Sequence, residues 1–166
     1  TGLGPYGAIL SAFRQNPDAA WLVTACDLPL IDAETLQYLI SNRDVSKIAT
    51  TYESPHDGLP EPLITIWEPK AYPVLLSFLS LGYSCPRKVM RNSEVKIIKA
   101  QQPEKLVNVN TPEEMEKIKT MFGRLPWAGA DRPTAAVYQP DPGLAGANAA
   151  ITTLSADLRM AVGAAG

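Results

Sequence analysis

The sequence predicts a layered α/β domain in which helices flank a parallel sheet. Two observations support this fold class. First, the apolar run that begins at Trp21 shows no period-two alternation before it stops at Asp27, as expected for a strand buried on both faces of a parallel sheet. Second, strand-like and helix-like segments alternate along the first 123 residues, which is typical of layered α/β domains. The chain has 166 residues, enough for one domain with a proper core.

Each element is predicted from its local pattern. Helices are expected where apolar residues recur three or four apart, and strands where short runs are rich in β-branched residues. The predicted helices cover residues 6–16, 32–42, 71–81 and 111–123. The first predicted strand is the apolar run that begins at Trp21, and four more cover 47–52, 63–67, 95–98 and 106–109. The last helix has the clearest signals, because Thr111 is a good cap, Pro112 suits the first position and Glu114 completes a capping box.

The composition changes after Gly123. Residues 124–166 are dominated by Ala, Gly and Pro, and only Ile151–Val162 shows a weak helical pattern. We therefore predict a domain at residues 1–123, followed by an Ala/Gly/Pro-rich linker or tail at 124–166.

Charge and cysteine content exclude several classes of protein. The 15 basic and 17 acidic residues give a net charge of -2 and form no block, which argues against nucleic-acid and membrane partners. Two cysteines without Cys-x-x-Cys spacing, and the lack of a signal peptide or of an apolar run near ~20 residues, fit the cytoplasm. Because Thr1 is not preceded by Met, we expect the chain to start inside a longer protein.

Asp27 is the first candidate functional residue. It follows the predicted buried strand, and ligands of open α/β sheets bind at the carboxyl ends of the strands. A carboxylate there suits Mg²⁺, which prefers oxygen ligands. The alternative is that Asp27 only caps the turn before Pro29. His56 is the single histidine and lies in a Pro/Gly loop, so we expect an ordinary exposed residue.

Two further segments precede predicted helices. Gly4 and Pro5 open the first helix, whose free backbone N–H groups could face a phosphate or a purine edge. Asn108 and Asn110 precede the last helix. Each segment also has an ordinary structural explanation, since Gly-Pro is common in turns and Asn-x-Asn-Thr-Pro is a usual helix entry.

Five segments occur along the chain in an order that matches one family. They are Gly4-Pro5-x-x-x-Ile9-Leu10-Ser11-Ala12, Cys26-Asp27-Leu28-Pro29, Glu61-Pro62-Leu63, Ser84-x-x-Arg87-Lys88 and Asn108-Val109-Asn110-Thr111-Pro112-Glu113-Glu114. Over about residues 2–122 the chain thereby resembles the molybdenum cofactor guanylyltransferases.

The resemblance implies a Rossmann-like, mostly parallel sheet with flanking helices, of the nucleotide-diphospho-sugar transferase type. It also implies transfer of GMP from Mg·GTP to molybdopterin, with release of pyrophosphate, and admits molybdenum-enzyme maturation proteins as partners. By resemblance, the site residues are Asp27 as catalytic residue and Mg²⁺ ligand, Gly4 and Pro5 at the nucleotide, and Arg87, Lys88, Asn108 and Asn110 at the molybdopterin.

The chain departs from the family in two places. Family members have Leu-Ala-Gly after Gly-Pro, whereas this chain has Tyr6-Gly7-Ala8. The family also opens with a strand and a Gly-rich loop ending in a Lys, which cradles the triphosphate, and residues 1–166 contain no match. We therefore expect an N-terminally incomplete domain that leaves a strand edge unpaired, binds GTP weakly or not at all, and is not competent alone.

Two other functions remain open at the level of sequence. One is a related transferase that uses CTP or a sugar phosphate, although the Gly4-Pro5 segment is closer to the guanylyl branch. The other is a non-catalytic α/β module of a molybdenum cofactor maturation protein. A Gly-rich loop encoded upstream of Thr1 would favour an enzyme.

Overall fold

The computed structural model describes residues 2–25, 28, 30–107, 111–113, 116, 136–137 and 158–163. The helices are α1 (Gly4–Gln15), α2 (Ala33–Ser41), α3 (Ala71–Ser80) and α4 (Pro86–Arg91), with a 3₁₀ helix at Pro103–Leu106. The strands are β1 (Ala20–Ala25), β2 (Ala49–Glu53), β3 (Pro60–Trp67), β4 (Val95–Ile98), β5 (Ala136–Val137) and β6 (Leu158–Gly163). No helix within these ranges is long and apolar enough to cross a membrane.

The strands form one mixed sheet in the order β4-β2-β3-β1-β6-β5. β1 and β6 pair in parallel, as do β2 and β4, whereas β3 is antiparallel to both β1 and β2 and β5 is antiparallel to β6. Among the described strands, β1, β2, β4 and β6 thus share one direction, and β3 and β5 run the opposite way. The predicted α/β fold with flanking helices is confirmed.

Helices cover both faces of this sheet. All six residues of β1 are buried, and alternate side chains enter two separate cores. Trp21 and Val23 pack in the core that includes residues of α1, α3 and α4, while Ala20 and Leu22 pack in the core that includes residues of α2 and the 3₁₀ helix. The uninterrupted apolar run is therefore explained by burial on both faces.

Local signals account for most of the element boundaries. Asp32 caps α2, since its carboxylate accepts a hydrogen bond of 2.9 Å from the Thr35 backbone N–H. Gly82 has a φ of +85° just after α3, a conformation that glycine adopts without strain. Of the predicted last helix, Pro112, Glu113 and Glu116 are described and are helical.

Two element predictions are wrong and one element was missed. Of the strand predicted at 106–109, Leu106 is buried in the 3₁₀ helix and Val107 is not in a strand, while residues 108–109 lie outside the described residues. The weak helix predicted for Ile151–Val162 is strand from Leu158 onward. Sequence analysis also left the short α4 unassigned.

β6 gives β1 a partner along its whole length. Residues Ala20 to Ala25 pair with Leu158 to Gly163, and β3 lies on the other side of β1. At β1, therefore, the structure does not leave the unpaired edge expected for an incomplete sheet. Residues 136–137 and 158–163 belong to the sheet, and the boundary of the domain at residue 123 stays a prediction.

Candidate active site

The ends of β1, β2 and β3 meet at one end of the sheet. The register pairs Thr24 of β1 with Ile64 and Glu53 of β2 with Pro60. The carboxyl ends of β1 and β2 therefore lie where β3 begins. We call this end of the sheet the carboxyl edge; it is where ligands of α/β folds bind.

α1 begins with Gly4 and Pro5, and its amino end carries no capping side chain and no acidic residue in the first turn. Gly4 has a φ of +49°, which disfavours a side chain at this position. The Tyr6 hydroxyl donates a 2.5 Å hydrogen bond to the Leu75 carbonyl oxygen, and burial raises the pKa of Tyr6 to about 12. This buried bond ties the start of α1 to α3.

Gly7 explains one of the two departures from the family pattern. A Cβ at this position would lie 3.1 Å from the Cβ of Leu3, closer than ordinary packing allows. Leu3 precedes the helix and its carbonyl accepts hydrogen bonds from the backbone N–H groups of Tyr6 and Gly7. The early glycine therefore lets Leu3 close over the first turn of α1.

Arg87 joins α4 to the carboxyl edge. Its Nη1 lies 2.9 Å from the Asp57 carboxylate, in the loop between β2 and β3, and its Nη2 lies 3.3 Å from the Glu61 carboxylate at the start of β3. Asp57 also accepts a hydrogen bond from the Leu59 backbone N–H. That bond, with the nearby Arg87 charge, lowers the pKa of Asp57 below its ordinary value.

Lys88, the next residue, is exposed and has a different environment. Its ammonium lies 3.4 Å from the centroid of the Tyr83 ring, which is a cation–π contact. α4 carries three cationic side chains on one short segment. Together they form most of the wall of a cavity of about 370 Å³, lined by Cys85, Arg87, Lys88, Arg91 and Asn92.

Comparison with known proteins identifies the family. The model of the MobA-like NTP transferase domain matches residues 1–97. The chain belongs to this family. A molybdenum cofactor biosynthesis bifunctional protein of Synechocystis is 31% identical over 116 residues, which are 70% of this chain and 33% of that protein. A probable molybdenum cofactor guanylyltransferase of Carboxydothermus hydrogenoformans is 36% identical over 131 residues, covering 73% of this chain and 64% of the relative.

A solved structure has the same fold. Molybdopterin-guanine dinucleotide biosynthesis protein A from Archaeoglobus fulgidus aligns with a TM-score of 0.59 and 19% identity, over 71% of this chain and 62% of that one. At this identity the likeness concerns the fold alone. The MobA-like domain described here spans between about a third and two thirds of the length of these relatives.

The described part of this MobA-like domain contains four of the seven predicted site residues, Gly4, Pro5, Arg87 and Lys88. Asp27, Asn108 and Asn110 lie outside the described residues, so their roles stay predictions. β1 ends at Ala25, two residues before Asp27. His56 is exposed in its loop, as predicted.

Sequence analysis missed Asp57, and quoted Glu61 without giving it a role. Their carboxylates contact Arg87 across 30 and 26 positions of sequence. One available signal was that Asp57 lies in the loop after β2 and Glu61 just behind that loop, which an α/β sheet directs to the carboxyl edge. Within the described ranges, no three His, Cys, Asp or Glu side chains cluster as a metal cage.

Proposed function

We propose that the protein carrying this chain transfers GMP from Mg·GTP to the phosphate of molybdopterin and releases pyrophosphate. The relatives in the MobA-like family that are named as molybdenum cofactor guanylyltransferases support this assignment. Since the chain spans only part of those relatives, the activity and both substrates are inferred rather than carried over with the family.

The observation that carries the proposal is the meeting of two segments at the carboxyl edge. β1 ends there just before Asp27, and Arg87 attaches the basic helix α4 to the same end of the sheet. Transfer between phosphates brings several negative charges together, so catalysis depends on positioning and on neutralisation of charge. A metal-binding carboxylate, together with a cationic helix, would provide both the positioning and the neutralisation of charge.

Asp27 is the proposed ligand for Mg²⁺. This ion is commonly held by one or two carboxylates together with substrate phosphates and water, so a single carboxylate at this edge fits it. When bound, Mg²⁺ would neutralise the triphosphate. We assign Gly4 and Pro5, at the uncapped start of α1, to the nucleotide, and α4 with Asn108 and Asn110 to the molybdopterin.

The test replaces Asp27 by Asn in the full-length product of the gene that encodes this chain. We expect Mg²⁺-dependent GMP transfer to fall at least about a hundredfold, the scale of loss of an electrostatic catalytic group. Asp18→Asn is the matched control, because Asp18 is exposed and lies two residues before the amino end of β1, whereas Asp27 follows its carboxyl end. The Asp18→Asn variant should retain full activity. Near-normal turnover of Asp27→Asn would exclude Asp27 as the metal ligand. That residues 1–166 alone are not competent stays a prediction.

A further inference from the structure

We propose that Asp57 and Glu61 are positioning residues that hold Arg87, and that Lys88 is the cation that binds the phosphate group of the acceptor. Arg87 then fixes the position of α4 without contacting the ligand, a role that we call a strut. The inference deepens the proposed function, on which the identity of the acceptor rests. It separates two adjacent basic residues, of which one supports α4 and the other contacts the ligand.

The first argument is the charge around Arg87. Its guanidinium contacts two carboxylates through two different nitrogens, Nη1 at 2.9 Å and Nη2 at 3.3 Å. Both terminal nitrogens of the guanidinium are therefore already engaged by carboxylates. An incoming phosphate would have to compete with Asp57 and Glu61 for Arg87.

The second argument is that Glu61 is held in place independently of Arg87. The hydroxyl oxygens of Thr51 and Thr65 lie 2.7 and 2.6 Å from the Glu61 carbonyl oxygen, which accepts hydrogen bonds from them. These two threonines face each other in the β2–β3 register, immediately before that register shifts. The Leu63 backbone N–H also lies 3.4 Å from the Glu61 carboxylate. Such a preorganised acid suits a role in orienting Arg87.

The third argument is the different setting of Lys88. Its ammonium lies against the face of Tyr83, itself next to the ring of Phe78. An aromatic face attracts the cation without neutralising its charge. Lys88 and Arg91 are three residues apart on α4 and therefore lie on one side of the helix. Both line the 370 Å³ cavity, so its open cationic side is available to a phosphate.

Two alternative roles of Arg87, phosphate ligand or strut, predict opposite effects when the Glu61 carboxylate is removed. If Arg87 bound the phosphate itself, Glu61→Gln would release its guanidinium and lower the KM for the acceptor. If Arg87 is a strut, the same change loosens α4, displaces Lys88 and raises that KM. The sign of the change therefore distinguishes ligand from strut.

The experiment measures kcat and KM for the acceptor at saturating Mg·GTP in the full-length protein. We expect Glu61→Gln and Asp57→Asn each to raise KM about three- to tenfold with kcat within about twofold, as for loss of a bond to a charged group. Lys88→Ala should raise KM about tenfold or more. Glu94→Gln is the control, because Glu94 is exposed and pairs with Lys47 rather than with a residue of α4.

Arg87→Lys tests the strut further, since a lysine lacks the planar fork that spans two carboxylates. We expect it to raise KM as Glu61→Gln does, and the double variant to be no worse than either single variant. A lower KM for Glu61→Gln or Asp57→Asn, or full additivity in the double variant, would overturn the inference.

Titration of the same proteins with inorganic phosphate, followed by NMR, gives a readout that needs no catalysis. Lys88→Ala and Glu61→Gln should both weaken binding relative to wild type and Glu94→Gln, with melting temperatures showing that each variant is folded. If wild type transfers no GMP but shows this phosphate pattern, only the proposed function fails. If wild type binds no phosphate, or Glu61→Gln binds it more tightly, the inference fails.

Discussion

Two arginine–carboxylate contacts lie at opposite ends of the sheet and differ in burial. At the amino ends of β1 and β2, Arg43 binds Glu68 through Nε at 2.6 Å and Nη2 at 2.8 Å, with side chains 10% and 3% exposed. At the carboxyl edge, the side chain of Arg87 is 31% exposed, and its acids Asp57 and Glu61 are 41% and 15% exposed. The same pair of chemical groups is buried at one end of the sheet and partly exposed to solvent at the other.

The antiparallel strand β3 explains how one segment serves both ends. Glu61 lies at its start and Glu68 directly follows its last residue, Trp67. The Glu68 backbone N–H donates to the carbonyl of Ile48, the residue before β2, and so ties the end of β3 to the start of β2. Because buried ion pairs cost much free energy when one partner is removed and exposed pairs little, we infer that the first contact serves stability and the second serves function.

The largest expected effect is at the buried pair. Glu68→Ala leaves the Arg43 charge without this buried partner and should lower the free energy of unfolding by about 3–5 kcal/mol. Urea unfolding measures the change. Glu94→Ala, which removes an exposed partner of Lys47, should change it by less than about 1 kcal/mol. A loss for Glu68→Ala as small as this control would show that the two ends do not differ as proposed.

An intermediate effect is expected at Asp32, which caps α2 and also lies 2.8 Å from the Lys105 ammonium. Asp32→Ala should cost about 1 kcal/mol through loss of the cap. Asp32→Asn retains a capping oxygen and removes the charge, so it should cost less at neutral pH. If the two variants are equally destabilised, the interaction with Lys105 outweighs the cap.

Asp32 also predicts a dependence on acid. Burial opposes the shift, but hydrogen bonds from Lys105 and Thr35 outweigh it and lower the pKa of Asp32 below 3.8. Its charge therefore stabilises the fold fully above that unfolded value, and the contribution is lost as the pH falls through the folded pKa. The stability difference between wild type and Asp32→Asn should shrink in this acidic range, as urea unfolding at several pH values would measure.

The smallest effect on stability is expected at the carboxyl edge. Asp57→Asn should leave the free energy of unfolding nearly unchanged, as is usual for exposed substitutions, while it should raise the KM for the acceptor. Urea unfolding and steady-state kinetics on one preparation test this separation. A large loss of stability would make Asp57 a structural residue and remove the contrast with Glu68.

Sequence patterns predicted the elements whose signals lie within a few residues. The apolar run of β1, the Asp32 cap and the glycine after α3 each act locally, and each is found as expected. α4 escaped because six residues are too few to show helical periodicity, even though Pro86 stands at its start. At Leu106 a short apolar run resembled a strand, since strands and buried turns share such runs.

Contacts between distant segments required the tertiary structure. The composition after residue 123 indicates no partner, yet β6 pairs with β1 more than 130 positions away in sequence. Resemblance marked Arg87 and Lys88 as equals, and their different contacts appear only when the β2–β3 loop and α4 meet. Caps and periodicity arise from neighbouring residues, so sequence alone reveals them. Strand register and ion pairs between elements depend on which distant segments the loops bring together. Many such arrangements are compatible with the same local sequence pattern.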